Sequence, residues 1–207
     1  MKKLGVRALA VECDMEKVED IANLSETTMK TYGRIDILVN NAGTTWGAAT
    51  LEYPLDKWER IMAVNTRGPF LLSQKVAKIM IAQGGGKIIN VASVMGFQGA
   101  PEETHPAIAY NTSKGALITM TKDLAVKLAP YNIQVNAIAP GFFRTDMMAW
   151  VEAEKFKNVK DQLIEEIPLK RSAGEEDIKG LAVFLASAAS NYMVGEIVRV
   201  DGGMLAK

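Results

Sequence analysis

The sequence predicts a doubly wound α/β fold, in which helices cover both faces of a parallel sheet. Three observations carry this. Strand-like runs alternate with helix-periodic segments, and the strand runs are largely apolar instead of strictly alternating with polar residues. The polar and glycine clusters Asp14, Asn40-Asn41-Ala42-Gly43, Ser93 and Pro140-Gly141 fall where those runs end. Strands buried on both faces read as continuous hydrophobic runs, and open α/β sheets place their sites beyond the strands' carboxyl ends.

Taken in order, residues 8–11 read as a buried strand ending at Cys13-Asp14. Residues 16–32 carry Val18, Ile21, Leu24 and Met29 at helical spacing among charges, and Gly33 suits a left-handed helix end. Residues 35–39 form the next strand and run into Asn40-Asn41-Ala42-Gly43. Residues 55–63 are helical behind Pro54, and 64–82 continue as a longer helix kinked at Gly68-Pro69. Gly84-Gly85-Gly86 is a turn before the strand 87–91. It is no phosphate loop, because such a loop follows a strand and opens a helix.

Residues 107–129 form a central helix with Leu117, Met120, Leu124 and Leu128 as its buried stripe and Pro130 as its stop. The strand 134–139 is broken by Pro140-Gly141. Residues 145–166 are more polar and carry Met147, Met148, Trp150 and Phe156, as expected of a lid over a site at about 142–170. Glu175-Glu176-Asp177 opens a last helix through Ala186, with acidic groups at its positive end. Residues 197–200 are the final strand, ending in Asp201-Gly202-Gly203. The 207 residues suit one domain, 1–207, with no internal repeat.

Hydrophobic residues make up 48% of the chain, enough for a real core. Twenty-four basic and 24 acidic residues cancel, which argues against a nucleic-acid partner, since that would favour a basic excess. Cys13 is the single cysteine, so no intramolecular disulfide forms; it reads as a small buried hydrophobe suited to a reducing compartment. The longest greasy stretch, 181–189, is far short of the roughly 20 residues a membrane span needs. No secretory signal opens the chain, so the expected location is the cytoplasm, with no membrane partner. No residue set is assigned to a metal.

Tyr110 and Lys114 sit four residues apart in the central helix. That spacing leaves two side chains about 40° apart around the axis and roughly 6 Å apart along it. A phenol titrates near pH 10 when unperturbed, so neighbouring positive charge is what fits it for acid/base work at neutral pH. Tyr53 and Lys57 share the spacing, but Pro54 puts Tyr53 at a helix entrance, and the pair reads as surface residues.

The ordered set Asn40-Asn41-Ala42-Gly43, Asn65, Ser93, Tyr110 with Lys114, Pro140-Gly141 with Thr145, and Asp201-Gly202-Gly203 closely resembles the short-chain dehydrogenase/reductase family and spans nearly all of the chain. Any one of these matches is weak. The ensemble in this order is specific. The resemblance implies a Rossmann-like, NAD- or NADP-dependent oxidoreductase acting on a small-molecule substrate, and a homo-oligomer, tetramer or dimer. It implies that Ser93 stabilises the charge on the substrate oxygen, that Tyr110 is the general acid or base, that Lys114 lowers the phenol's pKa and holds the nicotinamide ribose, and that Asn65 anchors a relay water. Asn40, Ala42 and Gly43 resemble the segment packing near the adenosine, and Pro140, Gly141, Phe143 and Thr145 the segment at the nicotinamide carboxamide. Asp14 resembles the family acid at the adenine edge, and a helix cap is an equally good local account. Taken alone, Ser93 is an ordinary strand-end hydroxyl, Asn65 a satisfied helix residue, and Phe143 equally well lid packing.

The family opens with a strand, a glycine-rich loop, a helix and a second strand that carry the pyrophosphate and choose the cofactor. The resemblance places Met1 after them, at least one β-α-β unit or roughly 30 residues on. The edge of 35–39 is then exposed and 8–11 lacks its neighbour. Seventeen positions separate Ser93 from Tyr110, a few more than is usual in the family, with Ala100 to Pro106 filling the interval. His105, the one histidine, reads as a solvated loop residue. The longer loop and the residues around Tyr110 and Phe142-Phe143 resemble the gluconate 5-dehydrogenase branch. A sugar acid or polyol is the favoured substrate, with a 3-oxoacyl thioester as the alternative; a non-catalytic fragment or an oligomerisation module are the other readings. The 207-residue chain alone is expected to bind dinucleotide weakly or not at all. Titration with NADH and NADPH checks this, and submicromolar binding with turnover contradicts it.

Overall fold

Runs of isoleucine and valine too short for helices pair side by side in the computed structural model, which describes residues 5–145 and 157–206. The strands are β1 (Ile37–Asn40), β2 (Gly86–Val91), β3 (Ile133–Pro140) and β4 (Ile197–Val200), parallel and in the order β1-β2-β3-β4. The helices are α1 (Val18–Tyr32), α2 (Leu55–Met62), α3 (Gly68–Ala82), α4 (Ile108–Leu128), α5 (Lys157–Glu166) and α6 (Glu176–Ala186). Asn40 lies opposite Asn90, and Val91 opposite Ile138. This aligns the ends from which the site is built.

The pleat sends neighbouring residues of a strand to opposite faces. Ile88 meets Ile21 of α1, Leu72, Val76 and Met80 of α3, Ala125 of α4 and Val135 of β3. Ile89, one residue on, packs with Ile138 and Leu185 of α6. Burial on both faces explains the largely apolar strands that the sequence shows.

Several elements differ from the sequence expectations. Residues 8–11 are not a strand and pair with nothing in the sheet, and Val39 on the neighbouring edge strand β1 is 51% exposed. A strand needs a ladder partner, and among the described residues none lies beside these. The helix break falls at 63–67, where Ala63–Arg67 forms a π-helical turn joining α2 to α3, and not at Gly68-Pro69. Pro69 has no N–H for the carbonyl of Asn65 four residues back, so the ladder loosens one turn before it. The buried stripe of α4 is Ala109, Ser113, Lys114, Leu117, Ile118, Thr121 and Ala125, with Leu124 and Leu128 only partly buried. The stripe is more polar than apolar periodicity foretells because part of it faces polar groups on the strands.

One such set is a buried ladder across the sheet. Asn40 Nδ2 donates to Ser73 Oγ at 2.9 Å and to Asn90 Oδ1 at 2.8 Å, and Asn90 Nδ2 donates to Thr121 Oγ1 at 2.8 Å. It ties β1, β2, α3 and α4 together where water does not reach. Replacing Asn90 by Leu deprives the Asn40 amide of an acceptor in a closed site, and is expected to cost about 2 kcal/mol of unfolding free energy in a urea titration.

Candidate active site

The site forms beyond the carboxyl end of β2, where the chain turns and meets α4. Ser93 caps a short 3-10 turn, Val94–Gly96, its Oγ accepting from Met95 N at 3.2 Å. The turn seats directly on α4. A β-carbon on Gly96 would stand 2.7 Å from the Lys114 carbonyl carbon and 2.9 Å from Gly115 N, so only glycine allows this approach. Across that contact Ser93 lies beside the Tyr110 phenol and favours its ionised form. Sequence reasoning found Ser93 and Tyr110 and missed Gly96, although a glycine three residues past a strand-end serine was a usable signal.

Lys114 lies one turn beyond Tyr110. Its ammonium donates to Val91 O at 2.7 Å, stands 5.6 Å from the Tyr110 ring centroid, and is 4% exposed. Burial disfavours the charged amine and brings its pKa down to about 8. Burial also pushes the Tyr110 phenol up, while neighbouring Ser93 pulls it the other way.

Asn65 occupies the π-helical turn with no exposed surface. Its Oδ1 accepts from Thr44 N at 2.8 Å, and its Nδ2 donates to Thr44 O and to Ser113 Oγ, both at 2.9 Å. Ser113 Oγ in turn donates to Tyr110 O at 2.7 Å. Asn65 therefore ties the segment after β1 to the backbone of the tyrosine. Both of its amide hydrogens are spent on protein, which leaves a carbonyl as its means of holding a water. Ser113, invisible as a site residue in the sequence, is the intermediary.

Of the proposed cofactor residues, Gly43 comes into this cluster: a β-carbon there would lie 3.6 Å from both Asn65 Oδ1 and Lys114 Nζ. Asn40 is buried in the sheet ladder, its Oδ1 without a partner among the described residues, while Ala42 is exposed. Pro140 and Gly141 sit at the end of β3, where Gly141 N donates to Val200 O at 2.9 Å and a β-carbon on Gly141 would strike Asp201 Cα at 2.8 Å. Phe143 bridges to Ala173, and Thr145 is exposed at the limit of the described segment. Met147, Met148, Trp150 and Phe156 of the expected lid lie outside the described residues. Asp14 Oδ1 accepts from Glu16 N at 3.0 Å in the turn ahead of α1, whose cap position is Lys17, so Asp14 is not the helix cap. Tyr53 and Lys57 stay apart from the cluster. The Tyr53 hydroxyl donates to Trp46 O, and Lys57 lies 4.9 Å over the Trp46 ring.

His105 is not a free loop side chain. It is half-buried, with its ring edge toward Tyr110 at a centroid distance of 6.2 Å. A nearby cavity of about 110 Å³ is lined by Phe142, Ile167, Leu169, Arg171 and Asp201 and does not include the serine, tyrosine and lysine. Among the described residues no cluster of three His, Cys, Asp or Glu could hold a metal, and no helix is long and apolar enough to cross a membrane.

This geometry has close relatives. The model of a family described as enoyl-(acyl carrier protein) reductase matches residues 1–205. The chain is 41% identical over 202 residues to the 3-oxoacyl-[acyl-carrier-protein] reductase of Aquifex aeolicus, covering 98% of this chain and 78% of that protein. It is 39% identical over 205 residues to the 2-dehydro-3-deoxy-D-gluconate 5-dehydrogenase of Dickeya dadantii, covering 99% and 79%. Its structure matches that of a gluconate 5-dehydrogenase from Burkholderia cenocepacia, in complex with NADP and tartrate, with a TM-score of 0.91 at 35% identity, covering 100% and 78%. A serine at the end of the second strand, a tyrosine and lysine one helical turn apart against it, and likeness along the whole length agree: the chain belongs to the short-chain dehydrogenase/reductase family of oxidoreductases.

Proposed function

We propose that this chain carries the acid/base half of a nicotinamide-dependent oxidoreductase acting on a small ketone or secondary alcohol. The observation that carries the reading is the Tyr110 phenol beside Ser93 with a desolvated ammonium 5.6 Å from its ring. In reduction Tyr110 gives its proton to the carbonyl oxygen, and in oxidation it takes the proton of the alcohol. Ser93 donates a hydrogen bond to the same oxygen, which strengthens as negative charge develops there. Asn65 and Ser113 hold the first turn of α4 so that the phenol and the serine face one atom.

The residues suit one end of a dinucleotide. Lys114 has two hydrogens beyond the one given to Val91 O, enough to hold ribose hydroxyls, and Gly43 opposite it presents no side chain. Asn40, Ala42, Pro140, Gly141, Phe143 and Thr145 line the neighbouring strand ends in the same reading, and Asp14 belongs to the adenine end. When bound, NAD or NADP supplies or accepts the hydride. Among the described residues no glycine-rich loop leads from a strand into a helix, so the pyrophosphate has no cradle there.

A sugar acid or polyol is the favoured substrate class, supported by the likeness to the Dickeya and Burkholderia enzymes and by the longer loop before Tyr110. A 3-oxoacyl thioester is the second reading, favoured by the Aquifex relative. Steady-state reduction of an oxo sugar acid and of an acetoacetyl thioester separates the two. It is run on the chain alone and on the chain joined to the opening strand, glycine-rich loop, helix and second strand of a relative. Turnover of the sugar acid is expected in the joined form, falling by about a hundredfold or more in Tyr110→Phe. An inactive joined form, or a fully active Tyr110→Phe, overturns the reading.

Lys114 also predicts a pH signature in stability. Its folded pKa of about 8 lies below the usual 10.5, so between those values the folded state sheds a proton that the unfolded state keeps. The unfolded state then binds more protons, and stability rises with pH across that window, by at most about 3 kcal/mol. Chemical denaturation at pH 7 and pH 10.5 should show this rise in the parent and its loss in Lys114→Met.

A further inference from the structure

Tyr110 occupies the third position of α4, where a helix frays most readily, and the residue capping that helix, Ala107, offers no side-chain hydrogen bond. Something else must hold the turn that carries the phenol. The loop before it supplies the means. His105 N donates to Pro101 O at 2.9 Å and Ala107 N to His105 O at 2.8 Å, folding the loop back on itself between two prolines. The far side of the loop is fastened to the segment after β1, since Ala48 N donates to Pro106 O at 2.9 Å and Thr50 N to Glu102 Oε2 at 2.7 Å. From this platform the His105 ring reaches α4 twice. Its Nε2 lies 3.0 Å from Asn111 Oδ1, and its edge meets the Tyr110 ring at 66°.

We infer that His105 is a positioning residue for Tyr110: hydrogen-bonded to Asn111 and packed at an angle against the phenol ring, it tethers the uncapped first turn of α4 and keeps water from one side of the ring. With Asn111 Oδ1 accepting, Nε2 carries the proton. Burial pushes the imidazole's pKa down, which suits a neutral ring beside a phenol that burial pushes up. The inference rests on the reading of Tyr110 as the acid/base. Residue 105 belongs to the lengthened serine-to-tyrosine interval, so this chain's extra loop residues gain a role in the geometry of the reaction. They also join the segment after β1 to the catalytic helix.

Ultraviolet titration of the 207-residue chain, taken as the difference from Tyr110→Phe, isolates the Tyr110 phenol without requiring turnover. The parent phenol is expected to titrate above the usual value of about 10, and in His105→Ala to fall toward it as water reaches the ring. His105→Phe keeps the aromatic contact and the high value but loses the tether, so the amides bonded to the carbonyls at the start of α4, beginning with Asn111 N on Ala107 O, exchange faster, as they do in Asn111→Ala. Where His105→Ala does not fold, these last two variants carry the test. In the active, joined form kcat drops about tenfold or more in His105→Ala with the cofactor KM within about twofold. The His105→Ala/Asn111→Ala double variant is then no slower than the slower single one. An unchanged phenol titration and an unchanged kcat in His105→Ala overturn the inference. Full turnover in Tyr110→Phe overturns the proposed function instead, and the titration and exchange results still decide whether His105 positions the ring.

Discussion

A lysine held out of water is the constraint on which the site depends. Lys114 keeps its amine at the end of β2 through one backbone acceptor, Val91 O, and little else offsets its loss of solvent. The helix that carries it must therefore lie hard against the strand end, and Gly96 and Gly115 make that approach feasible from the two sides. Once α4 is so placed, Tyr110, one turn before Lys114, is brought to the side of Ser93. Chemistry and packing are satisfied by one contact, at a cost in stability accepted where the function lies.

Asn65 shows how a buried side chain can orient a helix to which it does not belong. Its side chain is consumed in joining the segment after β1 to Ser113, and through Ser113 to the backbone of Tyr110. Together with the Asn40, Asn90 and Thr121 ladder deeper in the sheet, it gives α4 two polar anchors along its length. Directional hydrogen bonds fix the rotation of a helix in a way that apolar packing, indifferent to direction, does less sharply. The order of polar residues along α4, Ser113, Lys114 and Thr121, is in this sense a set of orientation marks.

Much of this was legible in the sequence where local chemistry decides the outcome. The strand Ile197–Val200, the helix end at Gly33 and the pairing of Tyr110 with Lys114 follow from composition and spacing alone. Legibility fails where the outcome is settled by a distant partner. Residues 8–11 have strand composition but no neighbour to pair with, and β propensity cannot supply one. Ser113 and Gly96 look ordinary until Asn65 and the backbone of α4 come to meet them. His105 reads as solvated because the prolines around it suggest a loose loop, whereas bonds to Ala48 and Thr50 on another segment hold that loop down.

The π-helical turn at Ala63–Arg67 acts as a phase shifter. One residue more than an α-turn requires rotates everything after it by about 100° relative to everything before it. Ile61 ahead of the turn and Leu72, Val76 and Met80 beyond it all reach the interior under that offset, while Asn65 within it turns toward Thr44 and Ser113. The spacing between α2 and α3 is thus a tuned quantity. Any single-residue change in its length would swing the apolar face of α3 out toward solvent even if every side chain were kept.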